Sequence, residues 1–287
     1  MAESLPDGFA DHREPNGRRV YFRADLAAPL AALGFLSGTC RLPATGRIAG
    51  RGSHSIYELP DHAMHVIWKH CRRGGMIEPL LGDRHWNVRR FLDELRLTER
   101  ARRAGLRVAE IVGLAIAGDT GRWKRVEILT RLEPDAVDLA EALSSAQLST
   151  DLRRAILLAA ATELRRFHGL GFLHGDLNVK NLLWRQRESA DVEVILIDLD
   201  PAGTRLTLSG HTAQGNLLRL LRSYYKGLRR QEWHLSRTEL LRFALRYFRG
   251  DHTSLRDLWR TLRRRGWLRK LQLDELTAPD QQRRLQL

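Results

Sequence analysis

The sequence predicts an α+β chain of two lobes, a small β-rich N-terminal lobe over 1–132 and a larger helical C-terminal lobe over 133–287. Three observations predict it. Short strand-like runs crowd the chain before residue 133, a Glu133-Pro134 break interrupts it, and helical periodicity dominates afterwards.

Residues 1–43 read as an irregular or partly helical lead-in. From Thr45 come three short strands, Gly46–Ala49, Ser55–Leu59 and Met64–His70. The first two are joined by GRGSHS, where Gly50, Gly52 and Ser53 form a turn able to lie close over phosphates, because glycine has no Cβ. In the third strand, MHVIWKH, alternation puts His65, Ile67 and Lys69 on one face and Val66, Trp68 and His70 on the other. A lysine at this place after a Gly hairpin suits pairing with nucleotide phosphates. A Gly-Gly turn, CRRGGM, leads to a helix over about 87–104, which Gly105 stops. Kinase chemistry asks one helix carboxylate to pin the strand lysine. Glu94 and Glu99 are the candidates, and Glu94, next to Leu95 and near the inner face, is preferred. Another strand follows at 126–132, with Leu129–Leu132 as the segment expected to meet an adenine through its backbone.

The second lobe opens with a helix and then a long one over 149–169, capped by Ser149-Thr150-Asp151, with His168 near its end read as structural or exposed. Strand-like segments at Asn181–Trp184 and Val192–Ile197 follow, then amphipathic helices near 213–229, 237–248 and 253–265.

The chemistry concentrates between the long helix and the second of these strands. A loop carries His174-Gly175-Asp176 and, after four residues, Asn181; Asp198 closes an apolar run 17 residues further on. Phosphoryl transfer from a nucleotide needs such a set. One Asp (Asp176) accepts the proton of the attacking hydroxyl, while an Asn and a second Asp (Asn181, Asp198) hold Mg²⁺ across the triphosphate.

Composition is that of a globular protein, 43% hydrophobic and 29% charged over 287 residues. The longest apolar stretch, Ala155–Leu164, contains Glu163 and falls short of the ~20 residues a membrane span needs. The acidic, Pro-bearing start MAESLPDGFADHREP is not expected to be a signal peptide. Cys40 and Cys71, the two cysteines, suit a reducing compartment and give neither a disulfide framework nor a metal cluster. Net charge is +14, with basic residues massed at 217–231 and 258–272. Nucleic acid, an anionic membrane surface and a polyanionic substrate are the partner classes this allows. No RNP pattern, zinc spacing or basic zipper accompanies the charge, so nucleic acid is not expected.

The order Gly hairpin, strand Lys, helix Glu, His-x-Asp-x4-Asn, strand-Asp is that of the protein-kinase-like fold. Within it the chain resembles the lipopolysaccharide core kinases, most of all those acting on 3-deoxy-D-manno-octulosonic acid (Kdo). The resemblance covers roughly 46–225 and rests on GRIAGRGSHS, HCRRGG, FLDELRLTERARRAGLRV, FLHGDLNVKNLLW, LIDLDPAG and NLLRLLRS. It implies that Lys69 contacts the α/β-phosphates of ATP and pairs with Glu94. It makes Asp176 the base for a sugar hydroxyl and Asn181 and Asp198 the Mg²⁺ ligands. The implied acceptor is a Kdo-lipid A precursor, met at the cytoplasmic face of the inner membrane by peripheral contact with its anionic surface. A heptose or other small-molecule kinase of the same fold is the alternative, and a non-catalytic binding module a more distant one. The chain departs from protein kinases in Asn178 two residues after the base, in Asp198-Leu199-Asp200, and in having no Ala-Pro-Glu motif. Lys180 is the candidate to supply the missing charge near the γ-phosphate. Only about a dozen residues follow Asp198 before the next helix, too few for a peptide platform.

Overall fold

Residues 1–43 correct their sequence reading: much of the lead-in is sheet and helix. In the computed structural model, which describes residues 4–48, 54–71, 84–118, 123–145, 147–188, 191–201, 213–230, 233 and 236–270, strands β1 (Phe9–Arg13) and β2 (Arg19–Arg23) form an antiparallel hairpin. Its turn is Glu14-Pro15-Asn16-Gly17, with Gly17 at φ 81° and its N–H donating to the Glu14 carbonyl at 3.0 Å. Asn-Gly between two strands is a strong hairpin signal. Here the charged flanks Asp11–Glu14 and Arg18–Arg19 obscure the alternation that would have exposed it. A helix, α1 (Ala27–Leu33), follows the hairpin.

The chain packs as two units. The first comprises Met1–Pro134 with Asp198–Pro201. After α1 it adds β3 (Gly46–Ile48), β4 (His54–Glu58), β5 (His65–His70), β6 (Arg84–His85), α2 (Arg89–Arg103), β7 (Ile111–Ala117) and β8 (Lys124–Arg131). The strands form one antiparallel sheet in the order β1-β2-β7-β8-β5-β4-β3, with β6 on β8.

Both faces of this sheet are covered, which is why β7 reads as the unbroken apolar run IVGLAIA. On one face Val20, Phe22, Val66, Trp68, Val112 and Leu129 pack beneath Leu26, Leu30, Leu33 and Phe35. On the other, Tyr21, Leu114, Ile116, Val126 and Ile128 pack against Phe91 and Leu95 of α2. Gly113 is required by close approach, since a Cβ there would run into the Phe35 ring. Burying each of these large side chains contributes about 1.5–3 kcal/mol.

The second unit comprises Asp135–Ile197 and Ala202–Leu287. It contains β9 (Val137–Asp138), α3 (Leu139–Ser144), α4 (Thr150–Gly169), a 3-10 turn at Val179–Asn181, β10 (Leu182–Gln186) and β11 (Val192–Leu196). Helices α5 (Ala213–Leu228), α6 (Arg237–Tyr247), α7 (His252–Arg264) and α8 (Trp267–Lys270) complete it. The small sheet runs β11-β10-β9, antiparallel throughout.

Local chemistry sets the helix starts. The Ser149 hydroxyl accepts from Leu152 N–H, Ser236 and Glu239 form a reciprocal capping box, and the Asp251 carboxylate accepts from Ser254 N–H. On α4, Ile156, Ala160, Leu164 and Phe167 face the core at helical spacing, all fully buried.

Candidate active site

In the first unit, strand pleating puts Lys69 on the face of β5 opposite buried Val66 and Trp68. Lys69 pairs in register with Ile128, whose side chain packs on the α2 side of the sheet. The lysine therefore shares a face with the helix that carries the candidate carboxylates.

Its ammonium donates to Asp198 Oδ1 at 2.9 Å, a residue 129 positions away in sequence. The expected partner was Glu94, so the ion pair differs from the sequence reading. Physically, Asp198 is the more solvated carboxylate, with 48% of its side chain exposed. Glu94 is instead driven toward its neutral form. Burial pushes its carboxyl up to about 8 and the Asp198 charge adds to this, against the opposing influence of Arg90 and Lys69.

Glu99, the other candidate, is buried and paired with Arg103 at 3.2 Å and Arg102 at 3.4 Å on its own helix. Burial pushes the thiol of Cys71, two residues past the lysine, up to about 12.

Asp198 has φ 53°, a left-handed conformation that a non-glycine residue adopts at some cost, and such residues cluster at functional sites. Leu199, next to it, is fully buried and anchors the segment. Gly50, Gly52 and Ser53, and the CRRGG turn beyond Cys71, lie outside the described residues.

Within Leu129–Leu132, expected to meet an adenine through its backbone, two amides are already engaged. The Arg131 N–H donates to the Glu110 carbonyl and the Leu132 N–H to the His65 carbonyl, both at 2.8 Å. Those amides are spent within the sheet and are not offered to a base.

In the second unit, the loop from His174 to Asn181 is built around the main chain of Asp176. The Asp176 N–H donates to His174 Nδ1 at 3.2 Å. The Asp176 carbonyl accepts from Asn181 Nδ2 at 2.9 Å and from Asn178 Nδ2 at 3.0 Å. His174 is fully buried, and with Nδ1 accepting, its Nε2–H donates to the Ile197 carbonyl at 3.3 Å. Asn178 also caps the 3-10 turn by accepting from Lys180 N–H at 2.9 Å. The backbone of Asp176 is thus held at both its N–H and its C=O while its side chain remains exposed. Lys180 is exposed as well.

These residues suit Mg²⁺. Asn181 spends its NH₂ on the Asp176 carbonyl, which leaves its Oδ1 as an acceptor, and Asp198 offers a half-exposed carboxylate. Each, taken by itself, offers the kind of hard oxygen donor that Mg²⁺ accepts. Strand β11 ends at Leu196, and the Ile197 N–H donates to the Asn181 carbonyl at 3.1 Å.

The sequence reading missed the side chains that support the loop. Asn216 on α5 is 3% exposed, and its Oδ1 accepts from His174 N–H at 2.8 Å and from His168 Nε2 at 3.3 Å. His168, expected to be structural or exposed, is half-buried and bonded to Tyr247 and Asn216. Ser223, seven residues beyond Asn216, accepts from Val179 N–H at 3.3 Å. A seven-residue spacing of polar side chains on an otherwise apolar helix face was the available signal. Val179 also lines an apolar cavity of about 110 Å³ among the leucines of α5 and α7, with few polar groups for chemistry.

The loop in the second unit, with its fixed aspartate and amide-bonded asparagine, and the strand lysine bonded to an αL aspartate in the first are each features of the protein-kinase-like fold. Residues 49–247 match the Lipopolysaccharide kinase (Kdo/WaaP) family, and the chain belongs to that family. A 3-deoxy-D-manno-octulosonic acid kinase of Actinobacillus succinogenes is 30% identical over 218 residues, covering 74% of this chain and 82% of that protein. The kinase of the same name from Vibrio cholerae serotype O1 is 30% identical over 185 residues, covering 63% and 73%. A solved structure, WaaP in complex with acyl carrier protein, superposes with a TM-score of 0.50 at 20% identity over 87% of this chain and 93% of that one, a likeness of fold.

Proposed function

We propose that this chain transfers the γ-phosphoryl group of ATP to a hydroxyl of a Kdo sugar on a Kdo-lipid A precursor. The observation that carries the proposal is the catalytic loop, whose Asp176 backbone is bonded on both sides while its carboxylate is left exposed. The curated relatives named as Kdo kinases support the acceptor.

In this reading Asp176 takes the proton of the sugar hydroxyl as it attacks phosphorus in line with the departing ADP oxygen. Asn181 and Asp198 would hold Mg²⁺, which would supply positive charge against the triphosphate. Lys69 would grip the α/β-phosphates, Gly50, Gly52 and Ser53 would cover them, and Lys180 would offer a cation near the γ-phosphate. The charge of +14 suits an acceptor bearing phosphates and sugar carboxylates, because guanidinium forks bind both bidentately.

The enzyme works at the cytoplasmic face of the inner membrane without crossing it. Among the described residues no helix is long and apolar enough to span a bilayer. Arg222, Lys226, Arg229 and Arg230 at α5, and Arg256, Arg260, Arg263 and Arg264 on α7, are solvent-exposed. Each basic residue near an anionic leaflet contributes about 1 kcal/mol, lost as salt screens it. Release from membranes by ~0.5–1 M NaCl is therefore expected, where the screening length is a few ångströms; extraction by detergent alone would refute the peripheral reading.

The decisive assay offers purified protein labelled Mg-ATP with Kdo-lipid A, heptosylated core, a generic peptide and an aminoglycoside. Label on Kdo-lipid A is expected. Label confined to heptose would replace the acceptor, and label on peptide alone would refute a small acceptor.

A further inference from the structure

We propose that the β6–β8 edge of the first unit is a docking surface for an anionic lipid bilayer: Trp86 and Trp123 seat in the headgroup interface, and Arg84 and Arg125 meet lipid phosphates beside them. The proposal rests on the peripheral-membrane reading above and gives it a second contact, apart from the basic residues of α5 and α7.

The antiparallel register sets the surface. Arg84 lies opposite Arg125 and His85 opposite Lys124, so the next pair along is Trp86 with Trp123. Strand alternation divides these residues between two faces. His85 is buried; its ring centroid lies 5.0 Å from that of Phe91 on α2, and its Nε2 lies 2.9 Å from the Cys71 carbonyl. Lys124, opposite it, donates to the Gly118 carbonyl at 2.9 Å. The alternate positions are the exposed ones. Arg84 and Arg125 face solvent, and Trp86 and Trp123 are 64% and 38% exposed. An arginine pair therefore stands next to a tryptophan pair on one edge.

Two features select a lipid surface. Indole has a large apolar body and one N–H donor, which suits the boundary between hydrocarbon and headgroups. Among the described residues Trp86 and Trp123 are the two exposed tryptophans. Charge is the second feature. Residues 84–92 and 123–126 include Arg84, Arg89, Arg90, Lys124 and Arg125 and no carboxylate. Arg89 and Arg90 are exposed in the first turn of α2, a 15-residue helix with neither a side-chain cap nor an acidic residue at that end. Cations there oppose the helix dipole, and an approaching phosphate relieves the repulsion. Apolar rings among cations match a partner that offers phosphate first and hydrocarbon beneath it. One such signal anchors weakly, whereas apolar and electrostatic signals together hold.

The test is co-sedimentation of the full chain with vesicles of phosphatidylethanolamine and phosphatidylglycerol, and with vesicles of phosphatidylcholine alone, over a series of NaCl concentrations. Spin-labelled lipid in the vesicles reports tryptophan insertion by quenching. The chain has seven tryptophans, so the signal of this pair is the difference between wild type and the variant lacking it. Wild type is expected to bind the anionic vesicles with quenched fluorescence. Trp86→Ala with Trp123→Ala should weaken binding about tenfold or more at every salt concentration, because indole burial is not screened. Arg84→Gln with Arg125→Gln should weaken it about 25-fold at low salt, about fivefold for each charge, and little at high salt. Turnover of detergent-dispersed Kdo-lipid A should be unchanged in both. If the double tryptophan variant does not fold, Trp86→Ala alone, at the more exposed ring, is judged by the same measurements. Wild-type protein that binds no anionic vesicle refutes the peripheral reading and this surface with it. Wild-type binding that persists with unchanged affinity and quenching in the tryptophan variant refutes the surface alone. Equal binding to phosphatidylcholine refutes the anionic partner. Loss of single-stranded oligonucleotide binding without loss of vesicle binding in that variant would replace the bilayer by nucleic acid.

Discussion

The two halves of the proposed catalytic set are held by different physics. In the second unit the main chain of Asp176 is hydrogen-bonded by the side chains of His174, Asn178 and Asn181, of which His174 is fully buried. In the first unit Lys69 and Asp198 meet through a single ion pair, with 21% and 48% of their side chains exposed. Pairs this accessible are typically worth about 0–1 kcal/mol, so the lysine can exchange its carboxylate for phosphate at small cost. A base that must line up with one hydroxyl gains from a fixed backbone. Charges that must receive a triphosphate and its metal gain from exchangeable partners. The comparison separates pre-organisation for chemistry from adaptability for binding.

The sharpest way to break it is Asp176→Ala. Removing a general base typically costs about 10²–10⁴ in rate. Because the loop is held through its backbone, ATP binding and the melting temperature should stay near wild type. Nucleotide titration by calorimetry beside a turnover assay checks both, and turnover within a few fold of wild type would exclude Asp176 from the mechanism.

Lys69→Met and Asp198→Asn probe the other half, with smaller expected effects on chemistry and larger ones on nucleotide. Each removes charge that positions the triphosphate or its metal. Thermal shifts induced by Mg-ATP should shrink in both variants. In Asp198→Asn the dependence of rate on Mg²⁺ concentration should move to higher concentrations, and an unaltered dependence would refute the metal assignment.

How much of this was legible differs between the same two regions. The catalytic loop could be read because its chemistry lies within 25 residues, from His174 to Asp198, and short spacings survive in sequence. The long helix and its Ser149 cap were legible for the same reason. The β1–β2 hairpin was not, since its pairing with β7 joins Val20 to Ala115, and charged residues mask its alternation. Nor was the partner of Lys69: choosing between Glu94 and Asp198 depends on which carboxylate is solvated, a property of packing rather than spacing. Asn216, His168 and Tyr247 stayed hidden because a single polar residue on an apolar helix face reads as noise until its partners converge from other helices.

The finest discrimination comes from pH, because the two units should respond with opposite sign. In the first unit Glu94, with its ordinary value of 4.5, is pushed up to about 8 in the fold by burial and by Asp198. Between those values the folded protein holds a proton that the unfolded chain has lost, so stability falls as pH rises through that window. In the second unit His168 is lowered from 6.5 to about 4, chiefly by burial. There the unfolded chain holds the extra proton, and stability is lost as pH falls from about 6.5 toward 4. Glu193 extends the same trend further into acid. Burial acts to raise it, yet Arg187 and Arg185 outweigh that and hold it down to about 2 from 4.5. Hydrogen exchange of the nucleotide-free protein at pH 5, 6, 7 and 8, read separately for peptides of β5 and α4, should show protection falling toward alkali in the first and toward acid in the second once intrinsic rates are removed. Glu94→Gln should flatten the first slope and leave the second, and His168→Gln should do the reverse. If both variants kept wild-type slopes in both units, burial of these two groups would not be what couples each unit to pH.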